Sequence, residues 1–428
     1  MEECLEMTSE VGSYSAVMDG TGAFPASAGT KEHSSARLAH IRVMNTITGL
    51  NVGGAEILLL RYLGRLPRDQ YTPGIISLMS GCPLERRAAD LGFDVRSLGM
   101  AESRFSISPL AKLRRQAAEF QPDLFHGWMY HGNIAAFMAS MLHRRQPVIW
   151  SIHHSLADIS AEKPMTRALI RLHALLSPMV SAISYCSAVS ADQHEAVGFD
   201  RSKRVIIPNG TDCTMFKPDA EAGRRLRRML RIPDTRLIIG NVGRAHPMKD
   251  HAGLIRSLGI LVAKGYDVHG LIIGNGHESS AAAQVAKELG IVDRITFLGT
   301  RDDIPEIMPG LDIYALSSGW GEAFGLAISE AMACGVPSVT TDVGDCGMLI
   351  GDPQLIVPPK EPEALAAAIE RLVRMRPEER HAVGMRARTR VLENFSLANY
   401  TSRHTALYAE ALDKRRARKG RTRRNADR

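Results

Sequence analysis

The sequence lacks long hydrophobic runs, a secretory leader and patterned cysteines. No apolar run in the 428 residues reaches the length of a membrane span, and the N-terminus lacks the basic-then-apolar layout of a signal peptide. The six cysteines are scattered, without a CxxC pair or zinc-ligand spacing. We therefore expect a cytoplasmic protein with free thiols, and neither disulfides nor a structural metal.

Net charge is nearly absent from the body of the chain, although the formal total is +7. Residues 414–428 carry +8, which leaves −1 for everything before them. A terminal block of like charge predicts a disordered tail over 413–428, attracted to anionic lipid or nucleic acid, or contributing only solubility. Because no aromatic residues interleave with the arginines, a nucleic-acid surface is the least supported of these readings.

The rest of the chain predicts two α/β domains. Residues 1–36 show no sustained periodicity and are expected to form an unstructured extension. From Ile41 onward, short apolar runs alternate with helical patterns, and this alternation predicts parallel sheets covered by helices. The pattern restarts after Pro218, and the Asn-Gly turn and two prolines before that point predict a linker at 209–218 between domains 37–208 and 219–396. Strands are expected at 41–47 and near Ile75, Val95, Leu124, Val148, Val205, Ile238, Leu271, Ile295, Ile313 and Val339.

Two acids, Glu322 and Glu330, bracket seven residues where a loop passes into a short helix. Gly325 predicts that this helix begins after Phe324, so that Glu322 lies in the preceding loop and Glu330 about one turn inside. The free amides at the start of the helix, those of Gly325, Leu326 and Ala327, would form an anion site. The pattern indicates a phosphorylated, hydroxyl-rich ligand.

A second phosphate signal follows the predicted strand 237–240, in Asn241-Val-Gly-Arg-Ala-His-Pro-Met-Lys249. Arg244 offers a forked pair of donors and Lys249 a compact charge, so together they suit a diphosphate leaving group. Two surface cations on a loop are the alternative. In contrast, Gly274-Asn-Gly-His-Glu278 completes no Gly-x-Gly-x-x-Gly motif and is read as a turn.

The first domain contributes glycines and histidines. Gly53 and Gly54 open a predicted helix, where backbone can approach a phosphate closely, although a plain tight turn is the alternative. Histidines stand at predicted strand ends, with no acid at short range to complete a metal site. Neutral histidines can instead bond hydroxyl groups, and the candidates are His126, His131, His153 and His154.

The segment from Glu322 to Asp345 resembles the Glu-x7-Glu signature of retaining glycosyltransferases of family 4. The one departure is Ala323, where that family usually has glycine. The resemblance covers about 41–412 and implies the GT-B fold, in which two doubly wound Rossmann-like domains face each other across a cleft. It also implies that the last helix, 397–412, crosses back onto the first domain.

The resemblance also implies roles for site residues. Arg244 and Lys249 match the family's Gly-Arg-x4-Lys motif and would stabilise the departing diphosphate, with Glu322 on the donor-sugar hydroxyls and Glu330 on the ribose. His153 matches the position that contacts the transferred sugar, with His154 as a less favoured substitute. The remaining donor-side expectations are Gly53, Gly54, Phe324, Gly325, Leu326 and the backbone at Gly299, and the acceptor-side candidates are His126 and His131.

The function expected from the resemblance is metal-independent, retaining transfer of a hexose or N-acetylhexosamine without a cofactor. A UDP-sugar is the favoured donor, and a glycan or polyprenyl-linked acceptor in polysaccharide biosynthesis the expected partner. A nucleotide-sugar epimerase and a non-catalytic GT-B binding module are the alternatives, and a pyridoxal phosphate phosphorylase is disfavoured by chain length. Peripheral contact with an anionic membrane is a further hypothesis, motivated by the basic segments 112–115, 143–145 and 163–173 and by the tail.

Overall fold

Two separate parallel sheets organise the computed structural model, which describes residues 40–100, 108–156 and 158–426. The predicted extension 1–36 lies outside these ranges. The strands are short and mostly buried on both faces, as expected where helices cover a parallel sheet. The prediction of two α/β domains with parallel sheets is confirmed.

The first sheet has seven strands in the order β3-β2-β1-β4-β5-β6-β7 within the described residues. The strands are β1 Ile41–Ile47, β2 Tyr71–Ser77, β3 Asp94–Ser97, β4 Leu124–Trp128, β5 Val148–Ile152, β6 Ala182–Tyr185 and β7 Arg204–Ile206. The helices are α1 Gly54–Arg65, α2 Leu84–Asp90, α3 Ser108–Phe120, α4 Met129–Leu142, α5 Pro164–Leu176 and α6 Ala188–Ala196. The sequence did not predict β6.

The second sheet has six strands in the order β10-β9-β8-β11-β12-β13, again counted over the described ranges. The strands are β8 Leu237–Val242, β9 Val268–Ile273, β10 Ile295–Leu298, β11 Ile313–Leu316, β12 Ser338–Thr341 and β13 Ile356–Val357. The helices are α7 Ala222–Leu230, α8 His251–Ala263, α9 Ala281–Glu288, α10 Ile304–Ile307, α11 Leu326–Ala333, α12 Cys346–Ile350, α13 Pro362–Val373, α14 Pro377–Asn394 and α15 Leu397–Ala426.

The two faces of the first sheet are covered by different helices. One core joins the sheet to α1 and to the start of α15, through Tyr62, Tyr400 and Tyr408. The other core joins the opposite face to α3, α4 and α5, through residues such as Phe120, Phe137 and Ile170. The helices α3, α4 and α5 therefore form a single outer layer.

The last helix differs from the sequence-based expectation at its C-terminal end. We expected a helix over 397–412 and a disordered tail over 413–428, but α15 continues to Ala426. Its first half lies on the first domain, where the rings of Tyr62 and Tyr400 meet at 5.4 Å. Its second half is rich in Ala, Lys and Arg, which favour helix, and Lys414 pairs with Glu410 one turn earlier at 2.6 Å.

Between the two sheets, residues 207–221 form neither helix nor strand, apart from an isolated bridge between Thr211 and Ser396. This stretch contains the predicted linker 209–218. Asn209, Thr211 and Asp212 are nevertheless buried. In the portion of the chain that is described, no helix combines the length and apolar character needed to cross a bilayer.

Candidate active site

A cleft of about 1120 Å³ is lined by loops of both sheets. The first domain contributes the start of α1 and the segment after β5, and the second contributes the loops after β8 and β11 with the start of α11. These loops follow the carboxyl ends of parallel strands, where open α/β sheets bind ligands. Of the predicted residues, the cleft is lined by Gly54, His153, His154, Arg244, Lys249, Glu322, Phe324, Gly325, Leu326 and Glu330.

The loop after β8 brings the two predicted cations into the cleft. Lys249 ends a single 3-10 turn, Pro247–Lys249, immediately before α8. Its Nζ lies 2.5 Å from Oε2 of Glu322, and the same oxygen accepts a hydrogen bond from Ser318 Oγ at 3.1 Å. Arg244 lines the same cleft. Both cations therefore line the cleft that contains Glu322, and Lys249 contacts that acid directly.

The helix α11 begins as its sequence predicts. Gly325, with φ of 82°, is the residue before Leu326, and this left-handed conformation favours glycine. No described side chain caps this N-terminus, and Gly325, Leu326 and Ala327 line the cleft, so the positive end of the helix dipole borders it with uncapped amides. Glu322 lies in the preceding loop, and Glu330 lies one turn inside the helix.

A glycine outside the predicted set holds the Glu322 loop in place. Gly344 has a φ of 59°, and a Cβ added to it would lie 2.0 Å from the carbonyl oxygen of Glu322. The neighbouring amide of Asp345 donates to the carbonyl oxygen of Ala323 at 3.0 Å. The backbone at 344–345 therefore supports the loop that carries the first acid of the pair.

An ion pair joins Glu330 to Arg61 of the first domain, a residue that was not predicted from the sequence. Arg61 Nη1 of α1 donates to Glu330 Oε1 at 2.7 Å, and both side chains are largely buried. Burial raises the pKa of Glu330, and the Arg61 guanidinium partly offsets this rise. The spacing in the sequence could have indicated Arg61 as a site residue. Arg61 follows Gly54 by seven residues, so it lies on the same face of α1 two turns later.

The glycine pair lies directly opposite α11. Gly54 is the first residue of α1, and a Cβ added to it would lie 3.3 Å from Cδ1 of Leu326. The N-termini of two helices from different domains thus meet across the cleft, each with a positive dipole end. Gly53 precedes α1 and is not itself among the described lining residues. Burial raises the pKa of Glu56, which lines this wall.

His153 is held rigidly at the end of β5. Its ring stacks on Trp128 at 5.1 Å, and Nδ1 lies 2.8 Å from Oδ1 of Asn209. Burial lowers the pKa of His153 to about 4, with the Asn209 contact opposing that shift, so the ring is neutral at pH 7. Its Nε2 is buried and has no hydrogen-bond partner among the described residues. Beside it, His154 Nε2 lies 2.8 Å from Glu162 Oε1.

Neither acceptor-side candidate is among the described residues that line the cleft. His126 is fully buried, with its ring nitrogens 2.7 Å from Tyr408 Oη and 2.6 Å from Ser151 Oγ. Burial lowers its pKa well below the usual value, so it is a neutral core residue. His131 is exposed on α4 and is not among the described residues that line the cleft. The first domain instead lines the cleft with His154, Asp158 and Glu162.

Two donor-side expectations need smaller corrections. Gly299 does not appear among the described lining residues, but Thr300 and Arg301, which follow it, do. Phe324 lines the cleft, although its side chain is almost fully buried and packs edge-on against Phe395 at 5.6 Å. Within the described ranges, no group of three or more His, Cys, Asp or Glu side chains is arranged to hold a metal ion.

Comparison with known families identifies the class of protein to which this cleft belongs. Residues 224–390 match the family model described as "Glycosyl transferases group 1", and residues 52–214 match that of "Glycosyltransferase Family 4". The two matches correspond to the two sheet domains. The chain is a glycosyltransferase with the GT-B fold.

Individual relatives support the same class. The chain is 27% identical over 313 residues to N-acetyl-alpha-D-glucosaminyl L-malate synthase of Bacillus anthracis, a match that covers 72% of this chain and 80% of the relative. It is 28% identical over 353 residues to a D-inositol 3-phosphate glycosyltransferase of Stackebrandtia nassauensis, covering 76% of each. The structure of Anabaena Alr3699/HepE in complex with UDP and glucose is similar with a TM-score of 0.74 and 21% identity, covering 86% of this chain and all of that one.

Proposed function

We propose that this protein is a retaining glycosyltransferase that moves a hexose or N-acetylhexosamine from a nucleoside diphosphate sugar to a glycan or lipid-linked acceptor. The observation that carries the proposal is that Arg244, Lys249 and the α11 N-terminus line one cleft together with Glu322, which Lys249 contacts. The name of the Bacillus anthracis relative supports an N-acetylhexosamine, and a structural neighbour that was solved with UDP and glucose supports a UDP-sugar donor.

The proposed chemistry rests on stabilising the leaving group. As the glycosidic bond breaks, negative charge accumulates on the departing diphosphate, and preorganised donors aimed at that charge lower the barrier. Arg244 supplies two parallel donors, Lys249 a point charge, and the amides of Leu326 and Ala327 the helix dipole. These groups supply positive charge without a metal ion, and metal independence is part of the proposal.

The acids orient the donor in this scheme. Glu322 binds hydroxyl groups of the transferred sugar, and Glu330 binds the ribose through Oε2, because Oε1 is already engaged by Arg61. His153 presents Nε2 as an acceptor for a sugar hydroxyl if Nδ1–H donates to Asn209. The acceptor hydroxyl attacks from the side of the leaving group, so that the anomeric configuration is retained.

The biological setting is proposed on sequence resemblance. The resemblance is to enzymes that build bacterial surface polysaccharides, so the proposed acceptor is a glycan or polyprenyl-linked sugar. An acceptor of this kind implies that the enzyme acts in the cytoplasm, peripherally at the inner face of the cell membrane.

Thermal unfolding with nucleotides tests the donor. Purified protein is melted with UDP, GDP and ADP and with their common sugar conjugates, because a ligand that binds only the folded state raises the melting temperature. We expect a selective shift with UDP and its conjugates. The shift should disappear in Arg244→Ala and persist in Arg228→Ala, which removes an exposed arginine from α7 outside the cleft.

Product analysis tests the reaction. Incubation of the selected donor with candidate acceptors should give an α-linked product from an α-linked donor, as read by the anomeric proton coupling in NMR, and EDTA should leave the rate unchanged. Rearrangement of the donor sugar without any acceptor would favour an epimerase. Nucleotide binding without any turnover would favour a non-catalytic binding module.

A further inference from the structure

Helix α5 is apolar on two opposite sides. Its inner side packs on the first sheet through Ile170 and His173, which are both fully buried. Its outer side and the turn after it expose a second apolar row at spacings of three, four, three and four residues. This row, which we call the α5 stripe, consists of Met165, Ala168, Leu172, Leu175 and Met179.

The α5 stripe is strongly exposed. The exposed fractions are 69% for Met165, 42% for Leu172, 75% for Leu175 and 60% for Met179. The alternation of three and four residues aligns these side chains along one face, over about 20 Å at 1.5 Å per residue. Contiguous apolar surface of this kind marks a contact site for another molecule, whereas single exposed apolar residues do not.

The charged side chains of α5 itself all have one sign, although Glu162 precedes the helix and Asp200 lies beside the turn that follows it. Lys163, Arg167 and Arg171 flank it, and α5 contains no acidic residue. The neighbouring helices of the same layer add exposed basic side chains at Arg114 and at Arg144 and Arg145, the last two beside exposed Met141 and Leu142. The outer surface of the layer therefore combines apolar side chains with positive charge.

The basic half of α15 approaches the same layer. Arg415 Nη2 donates to the carbonyl oxygen of Arg144 at 3.1 Å, directly after α4. Further along α15 the chain carries Arg416, Arg418 and Lys419. The loop after α4 thus joins two basic regions that are far apart in the sequence.

The basic side chains indicate which kind of molecule covers the α5 stripe. A second copy of the chain paired through α5 would bring Arg167 and Arg171 against their own counterparts, with no acid on either helix to neutralise them. An anionic bilayer offers headgroups to the basic side chains and an acyl boundary to the stripe, while the arginine stems extend towards the headgroups. We propose that the α5 stripe docks on an anionic membrane surface, with α15 as a second, electrostatic contact. The inference rests on the membrane location in the proposed function but not on the proposed reaction.

Vesicle binding with a matched pair of variants tests the proposal. Leu172 on α5 and Leu392 on α14 are both helical and both 42% exposed, so Leu172→Glu and Leu392→Glu make the same change on different surfaces. The full-length protein is sedimented with vesicles of phosphatidylcholine alone and with equal parts of phosphatidylglycerol. We expect binding only to the anionic vesicles, weakened about tenfold or more by Leu172→Glu and unchanged by Leu392→Glu.

Three results would overturn the inference. The first is equal binding by Leu172→Glu and the wild type. The second is loss of a dimer in sedimentation velocity on Leu172→Glu, which would assign the stripe to a second copy. The third is loss of vesicle binding on truncation after Leu412 with no effect of Leu172→Glu, which would assign docking to α15 alone. The thermal shift on adding UDP is measured for each variant, so that failure of the proposed reaction can be distinguished from failure of the proposed docking. A wild-type protein that shows no UDP-induced shift would undermine the reaction and not the docking.

Discussion

Replacing Glu322 with Gln is expected to tighten UDP binding while it abolishes efficient transfer. Lys249 Nζ donates to Glu322 at 2.5 Å, so a diphosphate that engages this lysine must compete with the carboxylate. The side chains of Lys249 and Glu322 are only 17% and 14% exposed, so solvent screens the pair weakly. At 4 Å and an effective dielectric of 20 the attraction is about 4 kcal/mol, and desolvation offsets most of it.

If the net attraction between Lys249 and Glu322 costs UDP binding about 1 kcal/mol, its removal in Glu322→Gln corresponds to roughly fivefold tighter binding of UDP. Transfer should nevertheless fall about a hundredfold, because the sugar hydroxyls lose the carboxylate that orients them. Calorimetric titration with UDP and initial rates with a UDP-sugar measure the two effects. Glu330→Gln is the control, since Glu330 contacts Arg61 and not Lys249, and it should not tighten UDP. Unchanged or weaker UDP binding by Glu322→Gln would refute this reasoning.

Three further substitutions test other contacts of the site and of the two domains. Arg61→Met leaves the Glu330 carboxylate buried without its partner. Because burial holds the pKa of Glu330 above its unfolded value, stability is lost as pH rises through the folded pKa, so urea unfolding should show a deficit of about 2 kcal/mol at pH 7 that shrinks towards pH 4.5. Gly344→Ala, in which the new Cβ meets the carbonyl oxygen of Glu322, should lower kcat while a circular dichroism spectrum stays unchanged. Asp345→Asn removes the carboxylate that accepts from the first two amides of α6, at 2.8 and 3.2 Å, and these amides should exchange faster in hydrogen-exchange mass spectrometry.

The features that were predicted correctly from the sequence depend on local sequence patterns. The strand 41–47, the start of α11 after Gly325 and the cations after β8 each follow from a short run whose neighbours in sequence are also neighbours in space. Two strands were missed, β6 and the two-residue β13, and β6, Ala182–Tyr185, has only four residues and contains Ala and Ser. It becomes a strand because it lies between β5 and β7 and pairs with both. Context beyond the local run determines such a segment.

The positions of His126, which lies in the core, and of Arg61, which was missed, depend on contacts between distant parts of the chain. His126 looks like a strand-end ligand, but α15 places Tyr408 against it, 282 residues later in the sequence. Arg61 looks like an ordinary surface arginine of an amphipathic helix until α11 supplies Glu330 from 269 residues away. Neither partner is visible in a local pattern. The tail is a different case, because its charge favoured disorder while its Ala, Lys and Arg content favoured the helix that the structure contains.

The helix that begins at the proposed phosphate site also contacts the linker and the first domain. On α11, Ser329 Oγ lies 2.5 Å from Thr211 Oγ1 of the linker, and the next residue, Glu330, is bound by Arg61 of the first domain. A donor held at the start of α11 therefore acts on an element that is already tied to the linker and to α1. Because Gly54 at the start of the same α1 faces Leu326, a change in the separation of the domains would move both helix N-termini relative to the diphosphate. Donor affinity and the arrangement of the two domains are for this reason expected to be coupled, and each must change when the other does.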